Sequence, residues 1–202
     1  KTYNKYLFFK NPLVMKKITQ LTGLLFGLFL SLSINAQTTF DWDTNPTDNG
    51  DNVTETINGI TATFIGPTTD TTILQANGWG GSSGNIILIS PDNSIKGAEI
   101  PNFEVTFSFS EPVNVISILA LEGEAEDIDY IFTPTGGTNS PITASLSGGV
   151  ASVTLNWTEV TSFTVTTAID IASYGFDDLI INAIPTAVAN TGSSLSEGGT
   201  DI

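Results

Sequence analysis

From Thr38 onward the chain alternates apolar and polar positions in short runs separated by turn residues, and no stretch repeats with a helical period. Phe40 and Trp42 alternate with Asp41 and Asp43. The runs 53–57 and 60–65 flank Asn58-Gly59, a pair that favours a type I′ hairpin because both residues tolerate positive φ. Phe103, Val105, Phe107 and Phe109 share one parity against Glu104, Thr106, Ser108 and Ser110, which predicts a half-buried strand. Residues 113–121 are apolar on both parities and predict a central strand covered on both faces, with Glu111-Pro112 as the breaker before it. Further strands are predicted at 128–133, 142–146, 150–157, 160–167 and 175–183, with turns at Thr135-Gly136-Gly137 and Ser147-Gly148-Gly149. Roughly ten strands without a helix predict an all-β fold, one antiparallel β-sandwich of the jelly-roll type spanning 37–184.

The N-terminus has a different pattern. Met15, Lys16 and Lys17 precede an apolar run over 18–34 that ends in Asn35-Ala36-Gln37, the layout of a secretory signal peptide over 15–36 cleaved after Ala36. The run is shorter than a spanning helix needs, so no membrane span is expected after cleavage. Residues 1–14 hold no Met and read as sequence translated from upstream of the start. These features predict a secreted or cell-surface protein.

Charge and inventory narrow the chemistry. The 202 residues include 21 acids, no His, no Cys and six cations, all lysines: Lys1, Lys5, Lys10, Lys16, Lys17 and Lys96. A Ser-His-Asp or Cys-His nucleophile, a His/Cys zinc site, a disulfide framework and an arginine phosphate clamp are excluded. Nucleic acid is not an expected partner, because phosphate binding needs clustered cations. Cleavage after Ala36 would leave all 21 acids facing Lys96 alone, a field that favours bound cations.

The composition shifts after Ile184. Within 185–202, Ala187-Val188-Ala189-Asn190 leads to Ser196-Glu197-Gly198-Gly199-Thr200, which resembles the entry into the cadherin-like or immunoglobulin-like repeats of large bacterial surface proteins. The segment is therefore read as a linker and the start of a following repeat. A second resemblance is carried by Tyr174-Gly175-Phe176-Asp177-Asp178-Leu179-Ile180-Ile181, which is similar to the closing strand of secreted jelly-roll domains, including carbohydrate-binding modules. That resemblance implies a structural calcium held by an acid at this point, with a second contribution from the first strand, where Asp41 and Asp43 stand.

A physical argument reaches the same acids. Asp178 alternates with Phe176 and Ile180, and Asp177 with Leu179 and Ile181, so on regular alternation one carboxylate must enter the core. Calcium, backbone N–H groups or protonation must then neutralise it, and Ca²⁺ suits all-oxygen ligands. The stretch 41–52 begins like a D-x-D-x-N calcium loop, but Pro46 and Asn52 stand where an EF-hand has Gly and Glu, so that motif is rejected. The acids at 122, 124, 126, 127 and 129 read as a solvated loop.

Aromatic placement gives the clue to a ligand. Trp42 and Trp157 fall on the apolar parity of their strands and read as core. Trp79 lies in a polar Gly-rich stretch with Asn77 and Asn85, where an indole could stack on a sugar face while the amides bond hydroxyls. The expected function is a non-catalytic binding or adhesion module for a neutral glycan or cell-surface polysaccharide, with structural calcium. The alternatives are a secreted hydrolase working through two carboxylates and a purely structural spacer.

Overall fold

The computed structural model describes residues 37–66, 72–76, 82, 84–89, 104–167 and 174–185, all within the unit Ala36–Ile202. The expected signal peptide at 15–36, Asn77 and Trp79, and the expected linker beyond Pro185 lie outside the described residues. Every described element is a strand: β1 (Gln37–Phe40), β2 (Thr47–Asp48), β3 (Asn52–Ile57), β4 (Ile60–Ile65), β5 (Thr72–Ala76), β6 (Asn85–Ile89), β7 (Glu104–Thr135), β8 (Ile142–Thr167) and β9 (Tyr174–Ala183). All pairings are antiparallel. The β3–β4 hairpin turns at Asn58 (φ 53°) and Gly59 (φ 83°) with Ile57 opposite Ile60, the geometry the dipeptide predicts.

The two long strands explain the architecture. The register of β7 with β8 is broken near 108–117 and 122–127, which divides β7 into limbs 104–110, 113–122 and 127–135. The matching limbs of β8 are 142–147, 149–157 and 160–167. One layer runs β2, β3, β4, first limb of β7, last limb of β8, last limb of β7, first limb of β8. The other runs middle limb of β8, middle limb of β7, then β9, whose far edge takes β6 with β5 beyond it and, further along, β1. The result is an antiparallel β-sandwich of the jelly-roll kind in which β7 and β8 belong to both layers.

This corrects two expectations. Glu111-Pro112 does not break the strand but bends it from one layer to the other. Likewise Ser147-Gly148-Gly149 is a bend inside β8, because the limbs on either side pair with β7 and not with each other. Proline can sit inside an extended strand where a register break leaves it no ladder bond to donate.

Aromatic side chains fill the space between the layers. Phe107 of the first layer meets Phe176 of the second edge-to-face at 5.3 Å between ring centroids, and Phe64 meets Phe176 at 6.3 Å. Phe163 stacks on Phe107 at 4.7 Å and meets Trp157 at 5.8 Å. Trp42 and Trp157 are core residues, as their parity predicts. A smaller apolar cluster of Ile86, Leu88 and Leu121 lies apart from this core, so β6 is buried on both faces, whereas the middle limb of β7 is covered on its second face only at Leu121 and leaves Ile116 and Leu119 half-buried, which corrects the expectation of a strand covered on both faces throughout.

Candidate functional site

The first candidate lies where β1 ends. After Phe40 the chain leaves the sheet through Trp42 (φ 57°) and Asn45 (φ 54°), two left-handed residues that turn the segment back towards β3. Glu55, on the inward face of β3 with Val53, receives the Trp42 N–H at Oε2 (3.1 Å) and the Thr44 N–H at Oε1 (2.8 Å). Asp41 Oδ1 accepts the Asp43 N–H at 3.1 Å, and Asp43 Oδ1 accepts the Asn85 N–H at 2.7 Å. Asn85 Nδ2 donates to the Trp42 carbonyl at 2.9 Å. The turn after β1 is thus fastened to β3 on one side and to the start of β6 on the other.

Asp178 joins this group through a bulge. Ser117 pairs Ile180 and Leu119 pairs Asp177, so two residues of β9, Asp178 and Leu179, oppose Ile118 alone. Asp178 takes φ 42° there, and its N–H donates to Asp177 Oδ1 at 2.8 Å. The bulge changes the face each acid occupies. Phe176 before it and Leu179 and Ile181 after it all enter the main core, so regular alternation fails across Asp178. Asp177 is fully buried, but by register it shares the face of Gly175, which pairs Leu88 and Leu121 of the smaller cluster.

Electrostatics ties four acids together. Burial pushes the Glu55 carboxyl above the ordinary carboxylate range, the two backbone N–H donors pull it partly back, and the charges of Asp41 and Asp43 add to the rise. Asp178 is raised first by desolvation and then by the same two aspartates. Asp41, Asp43 and Asp178, named from sequence, therefore share one field, while Glu55 went unread. Its signal was available: Glu55 falls on the parity of Val53 and Ile57. Among the described residues no three acids form a ready-made metal-ligand group. Of the sugar-contact residues expected, Asn85 holds the β1 turn, and Trp79 and Asn77 lie outside the described residues.

A second candidate shares no residue with the first. The bend at Glu111-Pro112, the turn after β7 and the bulge near Glu159 border an open cleft of about 490 Å³, a volume within the roughly 300–1,000 Å³ range of small-ligand sites. Glu111, Glu159 and Thr161 line it with Pro112, Ile184 and Pro185. Side-chain hydrogen bonds hold the turns beside it. Asn139 donates from Nδ2 to Gly136 O (2.9 Å) and Thr158 O (2.8 Å) and accepts the Thr158 N–H at Oδ1 (3.0 Å). Asn114 Oδ1 takes the Glu159 N–H at 3.1 Å, which holds Glu159 at φ 56°. Trp157 Nε1 donates to Ser140 O at 3.0 Å. At Gly136 (φ +97°) a Cβ would stand 2.5 Å from Glu159 O, so glycine is required for this close approach.

No family model matches the sequence, and no curated protein matches it. Among solved structures, a carbohydrate-binding module described as "Solution structure, dynamics and binding studies of CtCBM11" is similar with a TM-score of 0.41 and 11% identity, covering 77% of this chain and 99% of that one.

Proposed function

We propose that the chain is a non-catalytic binding or adhesion module, exported to the cell surface, that recognises glycan. The observation that supports this reading is the cleft at the Glu111 bend, with apolar Pro112, Ile184 and Pro185 for the C–H face of a sugar and Glu111 and Glu159 as acceptors for its hydroxyls. The sequence holds no His or Cys, so a catalytic group of either kind is excluded, and carboxylates are its most abundant ionisable side chains. Trp79 is a second proposed contact, from the sequence alone. A glycan array probed with the full chain tests the reading, with Glu159→Gln and Trp79→Ala identifying which surface binds. Binding without turnover supports the module. Polysaccharide hydrolysis lost in Glu111→Gln or Glu159→Gln would establish the hydrolase instead, because two carboxylates line one cleft.

Calcium belongs to the same proposal. Its support is the repulsion that Asp41 and Asp43 add to the burial of Asp178, which a hard cation would relieve while completing its shell with carbonyls and water. Added Ca²⁺ should raise the Tm and EDTA should lower it, since a ligand bound by the folded state alone stabilises that state. A melting curve indifferent to both removes calcium from the reading.

A further inference from the structure

The cleft at the Glu111 bend is selective in its hydrogen-bonding character. Its polar side chains are Glu111 and Glu159, acceptor-only when ionised, and Thr161, whose hydroxyl donates inward to Thr135 O at 3.2 Å and so presents lone pairs. No Lys, Arg or His occurs among the described residues, since the six lysines stand at positions 1, 5, 10, 16, 17 and 96. Two exposed carboxylates therefore share a partly apolar cleft without a described cation to balance them. A neutral sugar hydroxyl can donate to either acid, but an ammonium supplies three donors and a full charge, and charge-assisted bonds are roughly twice as strong as neutral ones. The net charge of −15 adds long-range attraction for a cationic ligand and repels uronic or sulfated glycans.

We propose that this cleft recognises an amino sugar, a hexosamine unit with a free amine, whose ammonium is met by Glu111 and Glu159 while the ring lies against the proline and isoleucine wall. The inference rests on the glycan-binding reading and names the sugar class for that cleft. Proline rings suit this role because they offer flat C–H surface and no N–H to compete for the acids.

The test is titration calorimetry of the full chain at about pH 5.5, where the sugar amine is protonated and an ordinary Glu is ionised. The probes are glucosamine oligomers and their fully N-acetylated counterparts. The free-amine oligomer should bind about tenfold tighter, added NaCl should weaken it, and Glu111→Gln and Glu159→Gln should each erase most of the preference. Melting curves check that both variants fold, and Glu111, which is exposed, carries the test if Glu159→Gln loses stability. Equal affinity for the two oligomers overturns the amine inference while leaving the glycan reading intact. Failure to bind any glycan on the array overturns both. A preference that survives both substitutions, or equal binding of a lysine oligopeptide, shows that the amine is attracted by net charge alone and also overturns the proposal.

Discussion

Glu55 does at the level of one side chain what a whole turn would otherwise need. Its two oxygens receive two backbone N–H groups, so Glu55→Gln would set an amide NH₂ against one of them and should cost about 1–3 kcal/mol in chemical denaturation. The pH dependence has a definite sign. Because the folded-state carboxyl is raised, the native chain holds more proton than the unfolded one, so stability falls as pH rises from the ordinary Glu range through the raised value. Asp178 contributes in the same direction. The Tm in EDTA should therefore climb as pH is lowered from neutrality towards the ordinary carboxylate range, and Asp178→Asn should make that slope shallower while raising the Tm at neutral pH. A slope of the opposite sign, or one unchanged by Asp178→Asn, contradicts this account. Parity carried the signal for Glu55 and required one buried carboxylate at 177–178, which is Asp177; it could not say which of the two, because a left-handed residue in a bulge shifts the faces and an Asp-Asp pair gives no sign of which member will adopt it.

At the scale of elements, the alternating pattern located the segments of β3, β4, β7, β8 and β9 but missed β2, β5 and β6, whose short runs carry little alternation, and the hairpin at Asn58-Gly59 followed from local chemistry alone. Connectivity was less legible. A Gly-Gly pair between two strand runs reads as a hairpin, yet at 147–149 it bends one strand between layers while at 136–137 it reverses the chain. What separates the two is tertiary. Gly136 and Gly137 lie against backbone of 158–161, whereas at Gly149 a Cβ would meet nothing within 4 Å. Asn139 is the fastener of the reversing turn. Its loss in Asn139→Ala should cost roughly 1–2 kcal/mol, since three bonds in a solvent-reached setting are each worth little. The same variant should loosen the wall of the cleft and weaken glycan binding in calorimetry. Full stability with full affinity would show that the turn holds without it.

At the scale of the molecule, jelly-roll sandwiches close two layers over one core, and here that core is stacked from Phe64, Phe107, Phe163, Phe176 and Trp157. The sequence announced the layers but not the double membership of β7 and β8. That membership makes the two strands a seam: neither layer can peel from the other without tearing hydrogen bonds in both. Opening should accordingly be all-or-none across the domain. Amide hydrogen exchange would show it, with slow protons at Phe107 in the first layer and Val115 in the second sharing one opening free energy and one denaturant dependence, as a single foldon does. Two separable exchange classes would mean that the layers breathe independently. For a domain tethered in a chain under tension, such a seam would act as a mechanical fuse with one breaking point, silent until it fails and then failing as a whole.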